Sequence, residues 1–553
     1  MKSRWNPQAR ARKLAPAWFP GVSLALLLLS LLFCGCGRSV KVPPADFTFV
    51  NGAEPETLDP HTVVGQPDIR IAQELFEGLT ARNGKGEIVP GIAERWELSP
   101  DRRVYTFHLR DAVWSNGAPL TARDFLASWK RALDPKTASE YAYQYFYIVN
   151  AEAYSEGKMA DFNRVGVEAP DDRTFRVTLS APTPFFLDLC ATTTMAPVYL
   201  PALQRWGDDW IKPGKMVNDG AYLLADWRIN DRVSLLKNPR YWNAKAVSFN
   251  RIDALALTAA TTAFNLFHSG MADLILDKSM VPTFFVDALR TKPYFHAETV
   301  FGTYFYRFNV TRKPFDDPRV RQALALALDK RRVVERITRG GETVAATFAP
   351  PGIAGYEPPA GLGYDPEKAR ALLAAAGYPG GKGFPPVSIL YNSSEQDAQI
   401  STEIQAIWRE NLGIDVGLRK QEWKAYLNSL TTLDYELGRS SWVADYPDPN
   451  TFLDCFVSGR GNNRTGWASP AYDALIGKAG TEPDPVRRLG VFREAETLLI
   501  DRDAVVIPIY YYITISIYRS DRLGGFSPNA LDQHPLHELY WLSVSGSEAG
   551  GAR

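Results

Sequence analysis

Short stretches in which apolar and polar residues alternate recur through the first half of the chain, at residues 47–50, 104–109, 174–179 and 233–236. A period of two predicts strands with one face buried. Beyond Asp317 the spacing lengthens to that of helices, and each predicted helix carries recognisable punctuation. Asp317-Pro318 supplies an N-cap and a first-turn proline to an apolar run ending near Leu328. Asp365-Pro366 opens a second helix that stops at Gly377, and a third spans residues 396–411 with Gly413 beyond it. Ser469-Pro470 and Asp484-Pro485 open a fourth and a fifth. Strand character returns between the third and fourth helices and again at 505–512. The Pro/Gly-rich piece 349–363 reads as an irregular surface loop, because proline removes a backbone donor and fixes φ. A mixed α/β chain results, without the fixed period of a solenoid.

At 553 residues the chain exceeds what one hydrophobic core supports, so several structural units are expected. Apolar content of 45% and charged content of 22% exclude a disordered chain and a polytopic membrane protein. The 12% of aromatic residues supplies contact area for a ligand cleft or for large cores. Lys and Arg number 62, and Asp and Glu also 62, which leaves no electrostatic footprint for nucleic acid. The zero sum hides an asymmetry. Lys2, Arg4, Arg10, Arg12 and Lys13 precede any acid, so the remainder of the chain is mildly acidic.

After that basic stretch comes an apolar run, 21–33, followed by Cys34-Gly35-Cys36-Gly37. The run is too short to span a bilayer, which takes about 20 residues, and fits the core of a signal peptide. A cysteine after a small residue at this place resembles a bacterial lipoprotein cleavage site. Residues 1–35 are then a signal peptide, and Cys36 is the lipidated residue that anchors the chain to a membrane. Ordinary cleavage and an uncleaved anchor are the alternatives. Of the other cysteines, Cys190 and Cys455 read as separate buried thiols, with one long-range bridge as the alternative in an oxidising compartment.

Enzyme signatures are missing: the sequence holds no Gly-x-Ser-x-Gly elbow, phosphate loop or His-Glu-x-x-His pattern. His534 and His537 lie close together, but Pro535 between them points to a loop, and no metal or cofactor is implied. The carboxylate pairs Asp501/Asp503 and Asp445/Asp448 imitate a glycosidase pair only in spacing.

A series of short motifs carries a resemblance. Glu56-Thr57-Leu58-Asp59-Pro60-His61, Leu75-Phe76-Glu77-Gly78-Leu79, Pro90-Gly91-Ile92-Ala93-Glu94-Arg95-Trp96 and Trp114-Ser115-Asn116-Gly117 are followed by Asn218-Asp219-Gly220-Ala221-Tyr222 and Asn238-Pro239-Arg240-Tyr241-Trp242. Pro314-Phe315-Asp316-Asp317, Gln421-Glu422-Trp423 and Trp442-Val443-Ala444-Asp445-Tyr446 complete the set. In this order and spacing the chain resembles the oligopeptide-binding proteins of bacterial ABC importers. The resemblance implies a two-lobed α/β clamshell of the type II periplasmic-binding-protein kind with an inserted third domain. Lobe 1 would comprise 36–76, 200–300 and 512–545, the inserted domain 77–199, and lobe 2 301–511, with a flexible tail at 546–553. It further implies a monomer outside the cytoplasm that holds an oligopeptide between its lobes and delivers it to an importer permease by hinge motion.

The same resemblance implies a ligand site. Asp445 receives the peptide's α-ammonium group; Arg439, Trp442, Val443 and Trp423 build the walls; Asn462, Tyr143, Tyr511 and Gln66 add further lining. At the ligand's far end the chain departs from its relatives. Leu430 and Asp397 stand where they carry an arginine and a histidine, which leaves Arg312 as the expected contact for a carboxylate. Val64 replaces a glutamate and makes that wall less acidic. Relatives of this architecture also bind murein peptide, haem, nickel chelates or oligosaccharides. The retained Asp445 favours a ligand bearing an amine.

Overall fold

The computed structural model describes residues 44–543 other than Asp277 and Gly461. The expected signal peptide, Cys36 and the tail 546–553 lie outside the described residues. Among those described, an 11-stranded sheet organises the molecule. Its main strands are β1 (Phe47–Gly52), β2 (Tyr222–Arg228), β3 (Arg232–Lys237), β4 (Arg251–Ala256), β5 (Leu274–Ile275), β6 (Phe295–Phe308), β7 (Val387–Asn392), β8 (Val416–Gln421), β9 (Leu437–Val443) and β10 (Val506–Tyr518). They lie in the order β2-β3-β4-β1-β5-β10-β6-β9-β7-β8, and the short strand Thr343–Val344 pairs with β10. β1 runs parallel to β4 and β5, and β7 parallel to β8 and β9; the other pairings are antiparallel.

β6 and β10 run the length of both ends of the sheet. Their register slips between Thr299 and Thr303 and again between Tyr304 and Phe305. β10 is apolar or tyrosine over most of its length, as a strand covered on both faces must be. It is buried at each end and partly exposed only at Tyr511, Tyr512 and Ile513, opposite the first of these slips.

The apolar side chains form separate cores on either side of that waist. Phe47, Phe49, Tyr222, Leu235, Ile252 and Tyr518 pack at the β1–β5 end. At the other end, α2 (Pro318–Leu326), α3 (Pro366–Ala375) and α4 (Glu395–Leu412) cover one face of the sheet, with Ile404, Trp408 and Leu437 in the core. On that end too, a pair of helices, Pro470–Thr481 and Pro485–Thr497, packs through Tyr472 and Phe492. A third unit has its own four-stranded antiparallel sheet, made by Ala93–Leu98, Val104–Leu109, Thr174–Thr178 and Val167–Glu168, with the helix Ala122–Leu133 over it. Its core of Phe107, Trp114, Trp129 and Phe175 also takes in Tyr446 from the far half of the chain.

The proline-marked helix starts hold for a physical reason: each capping side chain accepts a backbone N–H that the first turn leaves free. Asp317 accepts from Arg319, Asp365 from Lys368, Ser469 from Tyr472 and Asp484 from Arg487. The third helix starts at Ser394, which accepts from Asp397 N, and ends at Gly413 with φ of 69°. One expectation needs correction. Between α4 and the Ser469 helix the chain makes not only strands but also the helix Trp423–Thr431, capped by the Glu422 carboxylate. The loop 349–363 is irregular apart from one turn, Ile353–Gly355. Glu496 pins it, accepting from Phe348 N, Ala349 N and Tyr356 Oη at 2.7 Å each. Cys190 and Cys455 are free, buried thiols.

Candidate functional site

A cavity of about 200 Å³ opens beside the waist of β6 and β10. β9 forms its floor and contributes Arg439, Ser440, Ser441, Trp442 and Val443. The amino end of α1 (Gln66–Leu75), which also brings Val64 and Gly65, forms one wall; the amino ends of α4 and of α5 (Trp423–Thr431) form the other. These walls touch. A Cβ on Gly65 would lie 2.7 Å from the Trp423 ring and 2.6 Å from the Asp68 carboxylate, so only glycine permits the approach.

Asp445 sits where β9 runs out into a loop, and its carboxylate is turned onto the cavity. Gln144 Nε2 donates to Oδ2 at 3.3 Å, and Gln144 is itself oriented by Thr192 Oγ1, which donates to its Oε1 at 3.2 Å. Thr451 Oγ1 accepts the Asp445 N–H at 3.1 Å and fixes the backbone. The nearest cation is committed elsewhere: Arg82 pairs with Asp188 at 3.0 Å and donates to the Asp445 carbonyl at 3.3 Å. Burial therefore raises the Asp445 carboxyl to about 7, with the Arg82 charge pulling the other way. Among the described residues no cation pairs with this carboxylate, so its charged form carries the cost of desolvation uncompensated.

Arg439 is the opposite case. Its Nε lies 3.0 Å from Asp397 Oδ1, which also accepts from Tyr304 Oη at 2.9 Å, and the guanidinium rests 4.8 Å from the Tyr304 ring centroid. Burial works against its charge, but Asp397 outweighs it and holds the arginine firmly protonated. Asp397 therefore neutralises the cation next to it.

Trp423, which stacks on Tyr426 at 5.5 Å, and Gln66, Trp442, Val443 and Asn462 line the cavity together with Asp445 and Arg439. Three expected residues do not. Arg312 is 40% exposed and paired with Glu436 at 2.9 Å and Asp434 at 3.5 Å, outside the cavity. Tyr143 is buried behind Asn462, whose Nδ2 donates to its Oη at 3.3 Å. Tyr511 is turned away towards Thr347, and its strand neighbour Tyr512 reaches the cavity instead, because successive residues on a strand face opposite sides. The imitation carboxylate pairs are engaged structurally, Asp448 by Arg488 at 2.7 Å and Asp503 by Trp467 Nε1 at 2.9 Å. Sequence reading missed Arg307, Arg464 and Arg70 as cavity residues. For Arg307 the one available signal was a charge within the apolar strand Tyr-Phe-Tyr-Arg-Phe.

Residues 87–464 match the family described as bacterial extracellular solute-binding proteins, family 5 middle. The periplasmic oligopeptide-binding protein OppA of Salmonella typhimurium is 36% identical over 506 residues, covering 89% of this chain and 90% of that protein. A probable deoxycholate-binding periplasmic protein of Escherichia coli, YgiS, is 35% identical and covers 90% of this chain and 94% of its own length. Haemophilus influenzae OppA in complex with RPPGFSPFR superposes with a TM-score of 0.86 at 33% identity, over 90% of this chain and 99% of that one. The murein tripeptide binding protein MppA of Escherichia coli, 34% identical, separates two states. One structure, covering 90% of this chain and 99% of that one, gives a TM-score of 0.86; its unliganded open form, covering 90% and 97%, gives 0.60. The chain is thus more similar to the first of these than to the unliganded open form.

The contact at Gly65 generates a test. Gly65→Ala is expected to push α1 away from α5, at a cost of about 1–3 kcal/mol for overpacking. Hydrogen exchange should quicken at the amino ends of both helices. Unchanged exchange there, with unchanged stability in urea, would show that the walls do not depend on this approach.

Proposed function

The chain belongs to the bacterial extracellular solute-binding proteins of family 5, and from that premise we propose that it captures oligopeptides by their free amino end and hands them to an ABC importer. It is a transport binding protein, not an enzyme. The observation that carries the reading is Asp445: a desolvated carboxylate on the cavity wall, aimed by Gln144 and Thr451, with no ion-pair partner of its own among the described residues. An α-ammonium group supplies the missing charge and donates three hydrogen bonds. The peptide's backbone can pair with β9, and the side chains point into hydrated space where bridging water tolerates variety.

Capture and release require the lobes to part. We assign the moving bodies as 36–76, 200–300 and 512–545 on one side and 301–511 on the other, with 77–199 inserted in the first. Support comes from the separate cores, from the register slips in β6 and β10, and from the exposed waist of β10. The bodies so assigned are bridged by Glu140, which takes the cavity-lining Arg464 and accepts from Thr431 Oγ1 at 3.0 Å, and by Asp454, which accepts from Tyr147 Oη at 3.1 Å. Asp445 speaks against a bile acid as the preferred ligand, since a second carboxylate would meet it unshielded.

Two outcomes test this reading. Calorimetry with tri- to pentapeptides should show Asp445→Ala losing about tenfold to a hundredfold in affinity, in line with about 1.5–3 kcal/mol for a charge-assisted bond. N-acetylated peptides should bind weakly to both proteins; equal binding of free and acetylated peptides by the wild type would contradict amine capture. The anchor on Cys36 is proposed on the apolar run 21–33 and the cysteine that follows it. Metabolic labelling with a fatty acid should mark the wild type and spare Cys36→Ser, and label retained in Cys36→Ser would refute the assignment.

A further inference from the structure

The arginines that line the cavity are not alike. Arg439 is paired with Asp397 and Arg464 with Glu140. Arg70 is half-buried and donates from Nη1 to the Asn51 carbonyl at 2.9 Å. Arg307 is 5% exposed, and among the described residues no carboxylate lies within ion-pair distance of it. It projects from β6 at the position opposite Gly438 of β9. Its Nε donates to Ser440 Oγ at 2.8 Å and its Nη1 to the Asn462 carbonyl at 3.3 Å. The guanidinium carbon sits 5.2 Å from the Phe305 ring centroid.

These contacts orient the group without neutralising it. Two of its five N–H donors are taken by neutral oxygens, and a guanidinium does not lose its proton to escape the cost of burial. Burial, with the like charge of Arg464 adding to it, works against the charge. A buried cation left in this state is costly, and the cost is recovered only when an anion arrives. The planar fork, fixed at Nε by Ser440 and at Nη1 by Asn462, keeps three N–H donors, two of them on Nη2, for a carboxylate.

Taking the peptide reading as its basis, we infer that Arg307, held by Ser440 and Asn462, is the receptor for a carboxylate of the bound ligand, the role that Arg312 was expected to play. The carboxylate is that of an acidic side chain or of the peptide's C-terminus. Its place along the ligand is bounded. Ser440, which Arg307 grips, and Asp445 are separated along an extended strand by at most about 17 Å, at about 3.3 Å per residue. An extended peptide anchored at Asp445 therefore reaches Arg307 within roughly its first five residues. The cavity then selects for a dipolar ligand, with an amine at one end and a carboxylate a few residues on.

The test is calorimetric, with alanine tri-, tetra- and pentapeptides carrying Glu or Gln at each position in turn, and with free or amidated C-termini. One carboxylate position should bind the wild type about tenfold or more tightly than its amide counterpart. Arg307→Gln should abolish that preference, while Arg312→Gln, at the exposed arginine outside the cavity, keeps it. Should the Gln variant be unstable, Arg307→Lys, which retains the charge but not the fork, should reduce the preference. The Glu/Gln arm and the amide arm tell a side-chain carboxylate from the C-terminal one. Equal affinity of acid and amide at every position in the wild type would overturn the inference. So would a preference that survives Arg307→Gln or is lost in Arg312→Gln. Failure of every peptide to bind, free or blocked, would overturn the peptide reading itself and the inference with it, a result distinct from peptides that bind without regard to their carboxylates.

Discussion

The pairing of β6 with β10 is the constraint on which everything else rests. These two strands run antiparallel through both ends of the main sheet, so the same hydrogen-bonded ribbon stiffens each lobe and joins them. Where the register slips, the ladder is interrupted and β10 loses its cover. A slip bends a strand pair and weakens it locally, and the proposed hinge between the lobes lies here. The cavity opens beside that place, so the proposed motion at the waist would change the site directly. Tyr512, at the waist, both lines the cavity and accepts from Arg439 Nη2 at 3.4 Å.

Within the cavity the decisive feature is how its charges are distributed. Arg439 and Asp397 cancel, as do Arg464 and Glu140. Asp445 and Arg307 are left with neutral hydrogen-bond partners. Satisfying every buried charge internally would give a more stable empty protein and a poorer receptor, because the ligand would then have to displace existing pairs. On the proposed reading, two groups oriented but uncompensated keep their interaction free energy for the ligand. Neutral partners such as Gln144 and Ser440 fix their direction at little electrostatic cost.

Much of this was legible in the sequence where local chemistry decides structure. Asp-Pro and Ser-Pro pairs marked four helix starts, because capping is a contact within a few residues. The alternating runs became strands for the same local reason. Trp423–Thr431 was not legible: it lacks a first-turn proline and is capped by Glu422, which does not advertise a helix start as Asp or Ser does. Asp445 could be singled out through the resemblance carried by Trp442-Val443-Ala444-Asp445-Tyr446, whereas its partners Gln144 and Arg82, more than 300 residues away, were not legible. Arg312, Tyr143 and Tyr511 were misplaced because facing the cavity depends on strand register and on partners more than a hundred residues away, such as Glu436, Asn462 and Thr347. Arg307 and Asp397 acquire their meaning only from which charges meet them in space.

The measurement that tests amine capture most directly is proton exchange on binding, read as the buffer dependence of the calorimetric enthalpy near pH 6.5. With its carboxyl raised to about 7, Asp445 is largely protonated in the empty cavity at that pH. Pairing with an ammonium group lowers the bound-state value, so binding must release a proton, and affinity must fall as pH drops through this range. The account predicts release of a substantial fraction of a proton by the wild type and none by Asp445→Asn. Equal release by both proteins, or no release by the wild type for a peptide with a free amino end, would contradict it.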